Sequence, residues 1–192
     1  EAVVIPPVAK TGLVYDGADQ ALVTAGATSV GTMKYSLEQT GEYTEFIPKA
    51  KNAKESYTVY YKVVDGEQAV TGNNATGHVT VKIAQKPVTV QPKSFTIKQG
   101  DELPTLVLEY VGLIGEDKLT GDEAYKPEFQ YMQDDKEVPA PKEVGTYTIK
   151  WTNANAANFT NDNYHVTPVE TATLTIEAKA PSGGGSYYPY TP

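Results

Sequence analysis

Two histidines, three pairs of neighbouring carboxylates and a tyrosine-rich surface are the side chains here that could do chemistry. His78 and His165 are the only histidines. An imidazole can serve a nucleophile as general base, or ligate a metal, but both uses need partners at set spacing. Neither histidine has a Ser or metal-ligand motif nearby, so both read as solvent-facing residues beside strands. Carboxylates cluster at Glu116/Asp117, Asp122/Glu123 and Asp134/Asp135. Glycoside hydrolysis needs two carboxyls facing each other across a sugar, about 5–10 Å apart. These pairs are sequence neighbours in turns and read as solvated loops. No catalytic residue is assigned.

Metal and crosslink chemistry fare similarly. Asn161-Asp-Asn163 and Asp16-Gly-Ala-Asp19 offer oxygen ligands for calcium. Neither has the spaced Asp-x-Asp-x-Asp-Gly pattern with a distal Glu. No metal ligand and no cofactor is assigned. A Lys–Asn isopeptide crosslink needs a buried Lys that loses its proton easily. Lys62, Lys82 and Lys150 lie in alternating runs and should face outward, so no pair is named. Asn74-Ala-Thr76 and Asn158-Phe-Thr160 match N-glycosylation acceptors, which matter only in a host that reads them.

The aromatics are the binding candidates. The chain holds 14 Tyr and only 4 Phe. Tyr60 lies on the strand face opposite Tyr57, Val59 and Tyr61, where it could stack on a sugar ring or anchor a protein partner. The competing reading is that strands favour Tyr in any case. Tyr187, Tyr188 and Tyr190 read as an extended spacer.

Composition narrows the partners. The basic residues are sixteen lysines with no arginine, and the net charge is −8. An acidic surface repels phosphate backbones, and without Arg there is no bidentate fork for phosphate or guanine, so nucleic acid is not an expected partner. Sulfated polyanions are disfavoured for the same reason. The chain has no cysteine. With its Thr, Val and Tyr content, that fits a bacterial exported β-protein. No apolar run reaches the roughly 18 residues that would span a bilayer, so no membrane insertion is expected. The chain opens Glu1-Ala-Val-Val-Ile-Pro-Pro, so an exported parent would carry its targeting segment upstream.

Strands must position these groups. Period-2 alternation dominates, most clearly in Tyr57–Val64, Val79–Ile83, Gly145–Trp151 and Ala172–Glu177. The inward faces would be Tyr57/Val59/Tyr61/Val63, Val79/Val81/Ile83, Tyr147/Ile149/Trp151 and Ala172/Leu174/Ile176. The best helix candidate, Val111–Leu119, is limited by two glycines to a turn or two. The chain also repeats loosely. Ser56-Tyr-Thr-Val-Tyr-Tyr matches Thr146-Tyr-Thr-Ile-Lys-Trp, Gly77–Ile83 resembles Glu170–Ile176, and Tyr15–Val23 corresponds to Lys98–Val107 with one insertion. Two units follow, 1–85 and 86–179, with a short seam near Ala84-Gln-Lys-Pro87 that should make a stiff pair.

The first unit carries Tyr15-Asp-Gly17, Gly31-Thr-Met-Lys-Tyr-Ser36, Ile47-Pro48 and Tyr57-Thr-Val-Tyr-Tyr-Lys-Val63. It resembles the Tyr-Asp-Gly type of bacterial immunoglobulin-like repeat of large surface proteins. The second carries Lys86-Pro-Val-Thr-Val90, Gly115-Glu-Asp, Leu119-Thr-Gly121, Val144-Gly-Thr-Tyr-Thr-Ile149, Asn163-Tyr164 and Leu174-Thr-Ile176. It resembles the MBG-type repeat that accompanies such units. The Gly that precedes the Tyr-Thr-Val strand is kept as Gly145 but replaced by Lys54-Glu55-Ser56 in the first unit. The resemblance implies exported, tandemly repeated cell-surface architecture, with units acting as spacers or adhesive modules.

The expected fold is all-β, two tandem immunoglobulin-like β-sandwiches. The second unit could instead be β-grasp-like, with one short helix and its first and last strands paired in parallel. Residues 180–192 read as a Gly/Ser/Tyr/Pro tether, expected to join the pair to further modules; it resembles those preceding cell-wall attachment modules such as S-layer-homology repeats. Three functions are open. The first is a non-catalytic, monomeric, extracellular spacer module of a secreted or cell-wall-attached bacterial protein, its partners the neighbouring repeats of the same chain. The second is an adhesin module that binds glycans or glycoproteins. The third is an accessory domain of a large secreted glycan-active enzyme.

Overall fold

Each clearly alternating run forms a strand with one buried face. The computed structural model of the chain describes residues 2–183 and 189–190, and over these the protein is all-β and sandwich-like. Among the described residues the one helical element is a 3-10 turn, Ala156–Asn158, and no helix is long and apolar enough to cross a membrane. Most of the expected tether, residues 184–188 and 191–192, lies outside the described residues. By its internal contacts the chain forms two interleaved units. One holds residues up to Val88 with Gly112–Glu123 and Ala157–Thr167; the other holds Thr89–Val111, Ala124–Ala156 and the chain from Pro168 on. Two segments beyond the expected seam therefore pack with the first unit.

In the first unit the long strand Lys54–Asp65 pairs antiparallel with Thr32–Ser36 on one side and Thr76–Ala84 on the other. Leu13–Val14 closes the sheet by running parallel to Ile83–Ala84. Three short antiparallel pairs contribute further strands: Val4–Ile5 with Ala27–Thr28, Val8–Ala9 with Val23–Thr24, and Gln20–Ala21 with Lys49–Ala50. Val59, Tyr61, Val63, Val81 and Ile83 are buried together with Leu22, Val23, Met33 and Tyr35. Opposite the Lys54 strand the register shifts between Val81 and Ile83. One extra residue sits between Lys54 and Tyr57, a β-bulge at the place where the second unit keeps Gly145 in regular pairing.

The second unit builds a five-stranded sheet in the order Phe95–Lys98, Thr171–Glu177, Gly145–Trp151, Phe129–Gln133, Lys136–Val138. Its first pair is parallel and the others antiparallel. Within this unit Thr89–Pro92 pairs antiparallel with Leu108–Val111. Tyr147, Ile149, Leu174 and Ile176 form the core, packed by Phe95, Ile97, Leu103, Leu106, Phe129 and Tyr131. Trp151 is fully buried; its indole N–H reaches the Tyr125 hydroxyl (3.1 Å) and Asn153 Oδ1 (3.0 Å). Asp134 and Asp135 both take positive φ (50° and 61°) and make the two-residue hairpin turn between Gln133 and Lys136.

Two expectations need correction. The helix expected over 111–119 does not form, and with it goes the helical element of the β-grasp alternative. Gly112 and Gly115 turn the chain there at φ of 111° and 53°, outside right-handed helical space. A strand does pair in parallel with the last one, but it is Phe95–Lys98 rather than the opening strand Lys86–Pro92. The internal repeat also slips by one residue. The backbone N–H of Tyr15 donates to Ala84 O, as that of Gln99 does to Glu177 O, so Tyr15 stands at the place of Gln99 rather than Lys98.

Candidate functional site

The outward face of the first unit's large sheet follows from the pleat. From Tyr57 to Val63 the odd-numbered residues of the Lys54 strand point into the core, so Thr58, Tyr60 and Lys62 point away from it. Register then sets their neighbours. Tyr60 stands between Ser36 and His78, and Lys62 between Lys34 and Thr76. The Tyr60 and His78 rings lie 5.9 Å apart, tilted by 48°.

A loop closes over one end of this row. Tyr43 donates its hydroxyl proton to Gln39 O (3.0 Å), and the Lys62 ammonium sits 4.2 Å above the Tyr43 ring centre, a cation–π contact. Burial, and secondarily the neighbouring Tyr60, hold the Tyr43 phenol above its ordinary value. Gln39, Tyr43, Tyr60, Lys62, Thr76 and His78 line a concavity of about 340 Å³. Gly77 and Tyr61, paired across the two strands, line it as well. A Cβ on Gly77 would come within 2.6 Å of the Tyr61 hydroxyl, so that ring needs bare backbone beside it.

A second cluster escaped the sequence reading. Asp117, expected in a solvated loop, is instead half-buried between two buried tyrosines of the first unit. Its Oδ2 accepts from Tyr15 (2.8 Å) and Tyr164 (2.5 Å), and the Tyr164 oxygen accepts from the Ile114 N–H (3.0 Å). The two rings meet edge to face at 5.4 Å. Hydrogen bonds from Tyr164, then Tyr15, hold the Asp117 carboxyl below its ordinary value against the opposing effect of burial. Burial, then the bond to Asp117, push Tyr164 up to about 12. The bond to Asp117, then burial, raise Tyr15. With both hydroxyls committed to one carboxylate, the cluster is a part-buried polar lock. Its three members each lie in a motif of the sequence, Tyr15-Asp-Gly17, Gly115-Glu-Asp and Asn163-Tyr164, but nothing in those motifs brings them together.

The remaining candidates are placed as follows. His78 faces Tyr60, while His165 is exposed on the strand Tyr164–Pro168. Glu116 and Glu123 are exposed, Asp122 is half-buried, and Asp134/Asp135 form the exposed hairpin turn. Asn161 and Asn163 border a polar hollow of about 460 Å³ with Asn52 and Thr160. Their oxygens are already acceptors: Asn163 Oδ1 takes the Ala53 N–H (2.8 Å) and Asn161 Oδ1 the Asn163 N–H (3.0 Å). Asp16 Oδ1 likewise takes the Ala18 N–H (2.9 Å). Among the described residues no three His, Cys, Asp or Glu side chains are grouped to hold a metal ion. Lys82 pairs with Glu55 on the surface (2.8 Å), and Lys62 engages Tyr43. In the second unit Ile97, Leu103, Pro141 and Ile176 line an apolar hollow of about 460 Å³.

The chain matches no family model, no curated protein and no solved structure.

Proposed function

We propose that this chain is a non-catalytic, load-bearing structural module of a bacterial extracellular protein, secreted or attached to the cell wall. The observation that carries the reading is the parallel closing strand found in both units. Where an early strand pairs parallel with the last strand, tension entering at the one and leaving at the other slides them past each other. All their hydrogen bonds are then loaded together in shear, rather than opened one at a time. Leu13–Val14 on Ile83–Ala84, and Phe95–Lys98 on Leu174–Glu177, are both placed this way. The absence of cysteine and the resemblance to surface repeats support the extracellular setting. Single-molecule pulling on the chain ends tests it, because the resistance is a rate property of the loaded path. Gln99→Pro removes the N–H donated to Glu177 O and should lower the unfolding force of one event. An unchanged force would overturn the load-bearing role.

A second reading is supported by one observation. Tyr43, Tyr60 and His78 share a single concavity instead of being scattered, which favours an adhesin module binding glycans or glycoproteins.

A further inference from the structure

The strongest anomaly on the outer sheet face is electrostatic. Lys34 and Lys62 stand directly opposite each other on adjacent antiparallel strands. Like charges in that position are destabilising. The chain as a whole carries a net charge of −8, so carboxylates to offset the pair are plentiful. Yet the ion pairs found among the described residues are Lys82–Glu55 and Lys98–Glu177, and neither involves Lys34 or Lys62. Both lysines are half-buried, which weakens the screening of their repulsion by water. Lys62 lines the concavity of Tyr43, Tyr60 and His78, while Lys34 stands across the strand from it, and that lining has no carboxylate.

The same concavity holds what a sugar ring requires. Tyr60 and His78 offer two tilted ring faces against which the apolar C–H side of a pyranose can pack. The Gln39 amide and the Tyr60 and Thr76 hydroxyls lie around them as donors and acceptors for sugar hydroxyls. The bond from Tyr43 to Gln39 O and the Lys62–Tyr43 contact hold the wall of the hollow before any ligand arrives.

We propose that this face binds an acidic saccharide, a sugar unit bearing a single carboxylate, with its ring on Tyr60 and His78 and its charge on Lys62, whose cross-strand neighbour is Lys34. One negative charge relieves the opposition of two ammonium groups. A polyanion would meet the repulsion of the acidic surface around them. The inference rests on the adhesin reading and adds the ligand class.

The experiment is an NMR titration of residues 1–192 with 3′-sialyllactose and, as the neutral counterpart, lactose. Binding of sialyllactose with Kd of about 0.1–1 mM is expected, with lactose at least about tenfold weaker. Tyr60→Ala should weaken sialyllactose about tenfold, and Lys62→Gln about threefold or more. Tyr60→Phe, which keeps the ring and guards against a folding defect, should stay within about threefold of the parent. Raising salt from about 50 to 500 mM should weaken binding modestly, because the half-buried lysines are still partly reached by mobile ions. Equal binding of lactose would overturn the acidic-sugar assignment while leaving the adhesin reading in place. No shift with either sugar at about 10 mM would overturn both. Binding indifferent to Tyr60→Ala and Lys62→Gln would overturn the site.

Discussion

In the first unit the parallel closing strand is two residues long, Leu13–Val14; in the second it is four, Phe95–Lys98. The residue that follows, Tyr15 or Gln99, occupies the same place in both, and in both it reaches a carboxylate. Tyr15 is buried and donates to Asp117, 102 residues along the chain. Gln99 is half-exposed and donates to Glu143 (3.1 Å) in an exposed contact. The unit with fewer ladder bonds therefore ends its closing strand in a part-buried, charge-assisted lock. The unit with more of them ends in a solvent-screened contact that contributes little. The short parallel strand thus has a polar anchor at its end where the longer one has additional ladder bonds.

Six substitutions and a pH series break or sharpen this contrast. The largest effect is expected at the fully buried indole that ends the second unit's strand Gly145–Trp151. Trp151→Ala removes a fully buried side chain and should cost about 3–5 kcal/mol, read as a shifted urea midpoint. Next is the lock itself. Tyr15→Phe deletes a hydrogen bond to a charged group and should cost about 1.5–3 kcal/mol. Gln99→Ala, at the equivalent place, should stay within about 0.5 kcal/mol in the same assay. Equal losses at the two positions would erase the distinction.

The lock should also give the first unit its own pH limits. Asp117 has a folded value below its ordinary one, so its contribution is present above about pH 4 and is lost as pH falls through the folded value. Tyr164 has a folded value of about 12, so its contribution is full below about pH 10 and disappears as pH rises toward 12. Asp117→Asn should flatten the acid limb, as followed by thermal melts across pH, while Gln99→Ala leaves it unchanged. The smallest effects belong to the two surface ion pairs found among the described residues, one in each unit. Lys82→Gln and Lys98→Gln should each change stability by less than about 0.5 kcal/mol, and raised salt should hide even that.

Much of the fold was legible. The alternating runs around Val59, Val81, Ile149 and Leu174 predict strands with the buried faces they have, and the punctuating Asp134-Asp135 predicts a turn. The helix over 111–119 was misread because a short Gly-interrupted apolar run has no period that separates a helical turn from a bent strand end. The one-residue slip between Tyr15 and Gln99 arose because a loose repeat shows which segments correspond but not their register against the last strand. Of the site, Tyr60 and its outward face could be read directly. Tyr43, Lys34 and His78 as its neighbours could not, and neither could the burial of Asp117.

The amino-acid sequence by itself determined the all-β character, the inward and outward faces and the acidic, arginine-free surface. Those follow from composition and from the two-residue alternation of the pleated backbone, both local properties. Only the tertiary structure decided that Lys34 opposes Lys62, that Tyr60 meets His78, and that Asp117 lies beneath the hydroxyls of Tyr15 and Tyr164. These depend on strand register and on where distant loops come to rest. Both are set by the packing of the whole chain, and no local pattern encodes them.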